Sequence, residues 1–118
     1  MQEFKFDYDE ENNDLFIYND KKKSAASVEI GDIVFDFDSS KRFSGIEIMN
    51  ATRYLSELIS GFKVSKLALA GILSCRVESK VLNNLLIVKI VLVTKEKLTI
   101  PVTLTVPRIT APSPALAS

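Results

Sequence analysis

The run from Leu85 to Thr94 constrains the fold of this chain more than any other segment. Its residues are apolar at even and odd positions alike, apart from Lys89 and the closing Thr94. A strand with one wet face alternates apolar and polar residues, so this pattern predicts a central strand that is covered on both faces. The run is also too short to be a membrane-spanning helix, which needs about 20 residues.

The segment that follows predicts a second type of strand. From Leu98 to Val106 apolar residues alternate with Thr and Pro, which is typical of a half-buried strand. Pro101 has no amide hydrogen to donate, so we expect this strand at the edge of its sheet. Further upstream, Leu73, Cys75 and Val77 alternate with polar residues and predict another half-buried strand. A turn at 83–84 joins it to the central strand, because Asn tolerates a positive φ.

The N-terminal half also shows the period of two that marks strands. The alternation predicts five strands, at 4–8, 15–18, 27–30, 33–38 and 43–49. A polar turn joins the first two into a hairpin. Gly31-Asp32 joins the next two, and Gly at the first central position of a two-residue turn fits type II′. We expect the five strands to form a meander.

One segment has the pattern of a helix. Asn50 can accept a hydrogen bond from an orphan amide and so cap a helix that begins at Ala51. Over 51–59 the apolar residues Ala51, Leu55, Leu58 and Ile59 fall on one face, and Gly61 suits the C-terminal end. We expect this helix to cover one sheet face. Residues 65–73 fit either a helix or a strand.

These elements predict an α+β protein that is mainly antiparallel β-sheet, with about eight short strands and one helix near residues 51–60. A chain of 118 residues usually forms one domain. We assign residues 1–107 to a single domain, in which 1–60 hold the meander and helix and 61–107 hold the C-terminal strands. Residues 108–118, with two prolines among small residues, are expected to form a flexible tail.

Composition excludes several kinds of chemistry. The chain has no His, which removes a His general base, a His-containing catalytic triad and His metal ligands. Its one cysteine, Cys75, cannot form an intrachain disulfide or a Cys-rich zinc site, and its apolar neighbours predict a small buried residue. We expect no cofactor. Residues 1–5 lack the pattern of a secretory signal, and no apolar run is long enough to span a bilayer, so we expect a cytoplasmic protein without membrane contact.

Carboxylates are the remaining candidates for a site. Asp36, Asp38, Ser40 and Glu47 occupy positions one, three, five and twelve of an EF-hand-like calcium loop. Lys41 opposes this interpretation, because it stands where Gly permits the sharp turn, and the flanking segments predict strands rather than helices. If Asp36 pairs near Gly45, the three acidic residues share an outward face and could act as acid and base, but nothing nearby supplies a pocket.

Charge is distributed unevenly along the chain. Residues 1–50 hold six basic and twelve acidic residues, a net charge of −6, whereas residues 51–118 hold nine and three, a net charge of +6. This asymmetry favours contacts between the two halves, within one chain or between chains. The lysines at 21–23 could touch phosphate, but nearby acidic residues would repel a nucleic acid, so we do not expect nucleic-acid binding.

Several motifs in the first half resemble one family. They are Tyr8-Asp9, then Asp14-Leu15-Phe16-Ile17, the hairpin from Val34 to Asp38, the segment Gly45-Ile46-Glu47-Ile48, and Asn50-Ala51. From Phe6 to Leu55 the chain resembles the small prokaryotic proteins grouped as domain of unknown function 2283. The resemblance implies a small antiparallel sheet with a helix, often in dimers, and no established chemistry. Some members resemble antitoxin partners of small toxins. Lys41 departs from the family pattern, which has Gly in that turn.

The sequence therefore favours a non-enzymatic protein that associates with itself. Leaving four or five Leu or Val side chains of 85–93 in water is improbable, since burying each one stabilises by about 1.5–3 kcal/mol. We expect a homo-oligomer, most simply a two-fold dimer, and a further protein partner is open. Two alternatives are an antitoxin-like regulator and a cation-dependent hydrolase that uses Asp36, Asp38 and Glu47.

Overall fold

The computed structural model describes residues 1–59 and 62–107. Over these residues it confirms the α+β class and the dominance of antiparallel sheet. The strands are β1 (Gln2–Glu3), β2 (Lys5–Asp9), β3 (Asp14–Tyr18), β4 (Ala26–Ile30), β5 (Ile33–Phe37), β6 (Phe43–Ile48), β7 (Ile72–Leu82), β8 (Leu85–Thr94) and β9 (Thr99–Pro107), and the helices are α1 (Ala51–Leu58) and α2 (Lys66–Ala70). The tail expected to be flexible, 108–118, lies outside the described residues.

The strands form two sheets, which we call the N-terminal and the C-terminal sheet. The N-terminal sheet has the order β2-β3-β6-β5-β4, and the C-terminal sheet has the order β1-β7-β8-β9. The five strands predicted in the first half are present, but the predicted meander is wrong, because β3 pairs with β6. Strand β6, the most buried strand of this sheet, thereby becomes its central strand, and Leu15, Ile17, Ile46 and Ile48 of the paired strands are almost inaccessible to solvent.

One apolar core joins the two sheets. Residues from the inner faces of both sheets belong to a single cluster of buried side chains, together with Ala51 and Leu55 of α1. Phe4 lies between β1 and β2 and stacks on Phe43 with 6.1 Å between ring centroids. Because strand β1 pairs with β7 and the next strand pairs with β3, this short link connects the two sheets covalently.

The C-terminal sheet confirms two expectations about strand position. Strand β8 is central, between β7 and β9, and β9 with Pro101 is an edge strand. The expected cover on both faces of β8 is found on one face only. Leu86, Val88, Ile90 and Leu92 are buried, whereas on the opposite face Ile87, Val91 and Val93 are half-buried and Leu85 is exposed.

Helix α1 confirms the predicted start at Ala51 but not the predicted cap. Asn50 adopts a left-handed conformation with φ 54° and its side chain makes no capping hydrogen bond. The cap comes instead from Asn13 in the turn between β2 and β3. Its carbonyl oxygen accepts from the Ala51 amide (2.9 Å) and its Oδ1 accepts from the Thr52 amide (3.3 Å). Leu58 was expected in the core but is 42% exposed, and Gly61 lies outside the described residues.

The segment left open by the sequence, 65–73, holds both a helix and a strand. Ser65 caps the short helix α2, since its Oγ accepts from the Ala68 amide at 3.1 Å. Strand β7 then begins at Ile72, and the pairing with β8 shifts between Ile72 and Ser74. This bulge leaves Leu73 59% exposed, so its predicted burial was wrong, while Cys75 and Val77 are buried as predicted.

Candidate functional site

The outer face of the N-terminal sheet carries a field of carboxylates. Cross-strand pairing aligns Asp7, Phe16, Glu47, Val34 and Glu29 in one row across β2-β3-β6-β5-β4. We call this the acidic face, and its carboxylates are Asp7, Asp9, Asp14, Glu29, Asp36 and Glu47. Lys5 is the basic residue of the described strands that shares this side. The face is therefore strongly negative.

Asp36 and Glu47 share this face as expected. Asp36 pairs with Gly45, and Val34 pairs with Glu47, so the two carboxylates lie on the same side of neighbouring strands. Asp36 accepts a hydrogen bond from the Ser27 hydroxyl on β4. Partial burial raises the pKa of Glu47, and the negative charges of Asp14, Asp36 and Glu29 raise it further. These carboxylates repel one another.

Asp38 has a separate role. Its Oδ1 accepts from the backbone amides of Ser40 (2.8 Å) and Arg42 (2.9 Å), and Arg42 also forms an ion pair with it. The hydrogen bond from the Arg42 amide is the largest of the effects that lower the pKa of Asp38. Lys41 takes the left-handed conformation in this turn with φ 64°. Asp38 therefore shapes the turn between β5 and β6.

The observed geometry of the described residues does not match the cation site that the sequence spacing suggested. The segment is a β-hairpin, in which Asp36 faces Gly45 across neighbouring strands rather than curling around an ion. Within residues 1–59 and 62–107, no group of three or more carboxylate or thiol side chains is arranged to hold a metal ion. Hard cations need several oxygen ligands converging on one point.

Cys75 is a core residue of the C-terminal sheet. It is 1% exposed, and burial raises the pKa of its thiol to about 12. A thiol with this pKa carries almost no thiolate at neutral pH and is a poor nucleophile. The prediction of a small buried residue is confirmed.

The outer face of the C-terminal sheet has a different character. Here β8 presents Leu85, Ile87, Val91 and Val93, none of which is fully buried. We call this the apolar face, and its flanking residues on β7 and β9 are Ser74, Arg76, Glu78, Lys80, Leu82, Thr99, Pro101, Thr103, Thr105 and Pro107. At the hairpin end, Leu82 is 50% and Leu85 is 41% exposed. The outward side of β8 therefore leaves apolar side chains partly in water, with the exposed Lys89 among them.

Charges on the apolar face are mixed. Glu78 lies opposite Lys89 on the neighbouring strand, and Glu3 of β1 lies opposite Arg76, so acidic and basic residues lie side by side. Lys80 adds one further positive charge. The net charge of this face is small, in contrast to that of the acidic face.

The lysines at 21–23 lie in the loop between β3 and β4. Lys21 and Lys23 are exposed, and the Lys21 amide donates to Asn19 Oδ1 at 2.9 Å. None of the helices within 1–59 and 62–107 has the length and apolar character needed to cross a membrane.

Sequence reasoning missed the network around Asn13. The Tyr8 hydroxyl donates to Asn13 Oδ1 (2.7 Å), and Asn13 Nδ2 donates to Thr52 Oγ1 (3.0 Å) and more weakly to Asn50 Oδ1 (3.4 Å). A signal existed, because Tyr8, Asn50 and Ala51 belong to the motifs that carry the family resemblance. The network shows why these positions belong together: they fix the start of α1 on the first hairpin.

Comparison with known proteins finds similarity to a family over residues 5–51. Residues 5–51 match the model of the family described as "Protein of unknown function (DUF2283)", which confirms the resemblance seen in the motifs. The "Uncharacterized protein MJ0789" of Methanocaldococcus jannaschii is 43% identical over 49 residues, which is 42% of this chain and 42% of that protein.

A second relative matches over a similar length. A Methanosarcina mazei protein named "Putative hypoxanthine phosphoribosyltransferase" is 35% identical over 48 residues, 41% of this chain and 39% of that protein. The matched segments thus cover 42% and 39% of these two relatives. No solved structure matches the chain.

Proposed function

We propose that this protein is a non-enzymatic interaction protein whose copies associate through the apolar face of the C-terminal sheet. One observation carries the proposal: central strand β8 is apolar on both faces, but the described chain buries only one of them. Ile87, Val91 and Val93 are half-buried and Leu85 is exposed on the other. A facing copy would remove these side chains from water, which stabilises by about 25 cal/mol for each Å² buried.

The charge pattern supports a contact between identical faces. In a two-fold contact each surface meets itself, so a strongly charged face repels its own copy. The six carboxylates of the acidic face exclude it from this role. The apolar face interleaves Glu78 and Glu3 with Lys89 and Arg76, so that a rotated copy can place opposite charges together.

The hydrolase alternative gains no support from the described residues. Asp38 is engaged in its own turn, and Asp36 and Glu47 lie on the outward side of neighbouring strands. The role of an antitoxin-like regulator stays a prediction from the family resemblance, since no described residue is tied to a toxin.

Substitution of Val91 by Lys tests the proposal. Val91→Lys places a charge in the middle of the apolar face, so we expect the dissociation constant of the assembly to rise at least about tenfold, the effect of about 1.4 kcal/mol. The matched control is Val34→Lys, because Val34 is also a half-buried, outward-facing Val in mid-strand, but on the acidic face. Light scattering after gel filtration measures the mass of both variants. Equal association of Val91→Lys and wild type would contradict the proposal.

A further inference from the structure

Strand β4 forms an open edge of the N-terminal sheet. It is last in the order β2-β3-β6-β5-β4, and four of its five residues are exposed. The described part of the chain pairs nothing with its outer side. Exposed strand edges are templates for another strand, and proteins usually protect them with Pro, bulges, Lys or short length.

The other sheet edges carry more of this protection than β4, in which Glu29 is the one charged residue. Edge strand β9 contains Pro101 and ends at Pro107, and β1 has only two residues. Strand β2 presents Asp7 and Asp9, next to further acidic residues in the following turn. Strand β4 has the sequence ASVEI, with no Pro or Lys, and pairs with β5 without interruption from Ala26 to Ile30.

The turn between β4 and β5 determines which backbone groups face the open side. Gly31 has φ 60°, and the two-residue turn makes Ile30 and Ile33 a hydrogen-bonded pair. Hydrogen-bonded and non-hydrogen-bonded pairs alternate along the ladder, so Val28 and Ala26 also bond to β5. The N–H and C=O groups of Ser27 and Glu29 therefore point to the open edge.

We propose that β4 pairs antiparallel with β4 of a second copy, around a two-fold axis at Val28. This register sets Ser27 opposite Glu29 of the second copy as the hydrogen-bonded pairs, with Val28 opposite its own copy. Ala26 then lies opposite Ile30. Ile30 is 43% exposed in the single chain, and this pairing covers it with apolar side chains and continues the inner face of the sheet.

Charge complementarity supports the same register. No like charges oppose each other, because Glu29 faces Ser27. The occupant that fits this edge is a second copy of this chain.

This edge contact is separate from the contact proposed for the apolar face, and neither depends on the other. The two surfaces belong to different sheets, so a molecule that uses both joins more than two copies. Loss of the apolar-face contact in Val91→Lys leaves the edge contact in place.

Disulfide trapping in the full-length chain tests the edge contact. In the proposed register, Val28 forms a non-hydrogen-bonded pair with its own copy, where Cα atoms lie about 4.5 Å apart and a disulfide can form. Ser27→Cys is the matched control, since two copies of residue 27 are diagonal at about 7–8 Å or more. Native Cys75 is buried and serves as the internal control.

Under mild oxidation we expect Val28→Cys to form at least tenfold more covalent dimer than Ser27→Cys or wild type on a non-reducing gel. An equimolar mixture of Ser27→Cys and Glu29→Cys should cross-link more than either variant alone but less than Val28→Cys, because random pairing makes only part of the dimers mixed. Equal yields from Val28→Cys and Ser27→Cys would overturn the edge contact, whatever Val91→Lys shows for the apolar face.

Discussion

Glu47 is the residue of the acidic face at which burial and the repulsion between carboxylates act together. Burial and the charges of Asp14, Asp36 and Glu29 raise its pKa above the ordinary value of 4.5. An acid whose pKa is raised by folding favours the folded state only in its protonated form. The free energy of unfolding therefore falls as the pH rises from about 4.5 through the folded pKa.

Glu47→Gln should remove this fall in the free energy of unfolding at higher pH. Above about pH 5 we expect the variant to be more stable than wild type by about 0.3–0.5 kcal/mol, as is typical of a surface substitution, and the gain should vanish near pH 4. Urea unfolding at several pH values measures it. Glu78→Gln is the matched control, because Glu78 also points outward from mid-strand but pairs with Lys89. It should lose about 0.2–0.5 kcal/mol near neutral pH. Destabilisation by Glu47→Gln at neutral pH would contradict this account.

Single residues could be predicted from the sequence when their role depended on local pattern. The burial of Cys75 followed from its alternating neighbours, and the shared face of Asp36 and Glu47 followed from the expected pairing near Gly45. The role of Asp38 did not follow, because spacing alone does not show that its carboxylate accepts from two amides of its own turn. The capping of α1 by Asn13 did not follow either, because its partner Thr52 lies 39 residues away in sequence.

Helix α1 depends on this contact between distant elements. Asn13 and Asn50 both adopt left-handed conformations, with φ 57° and 54°, but of their two side chains only that of Asn13 accepts from an amide of the first helical turn. The two residues therefore allow a matched comparison, since Gly accepts this conformation at both positions.

Asn13→Gly should lose more stability than Asn50→Gly. The first variant removes the bonds to the Tyr8 hydroxyl, the Thr52 amide and Thr52 Oγ1, and we expect a loss of about 1–2 kcal/mol. The second removes one long contact of 3.4 Å, and we expect a change within about 0.5 kcal/mol. Chemical denaturation measures both. Equal losses would show that the cap does not reside in Asn13.

Elements were predictable where the period of apolar residues was unbroken. Strands β8 and β9 and the hairpins of the first half follow their patterns closely. The pairing of β3 with β6 joins strands that are distant in sequence, and the alternation of apolar residues within each strand does not encode such a pairing. The burial of Leu73 was predicted wrongly because a bulge adds one residue to β7 and shifts the side that later residues face. A five-residue helix such as α2 is too short for a periodic signal.

At the scale of the whole molecule, charge and apolar surface are divided between two sheets. The N-terminal sheet carries the family match and the acidic face, and the C-terminal sheet carries the apolar face. The sequence showed this division as a net charge of −6 in residues 1–50 and +6 in residues 51–118. It could not show which faces remain uncovered, because that depends on how the sheets pack against each other.

Self-association is the central claim, and the mass of the wild-type protein in solution tests it most directly. Sedimentation equilibrium of the full chain at micromolar concentrations should give at least twice the chain mass of 13.1 kDa. The apparent mass should fall on dilution toward that of one chain, by mass action. A mass of 13.1 kDa at every concentration up to about 100 μM, where the association would then be weaker than about 5.5 kcal/mol, would contradict the account.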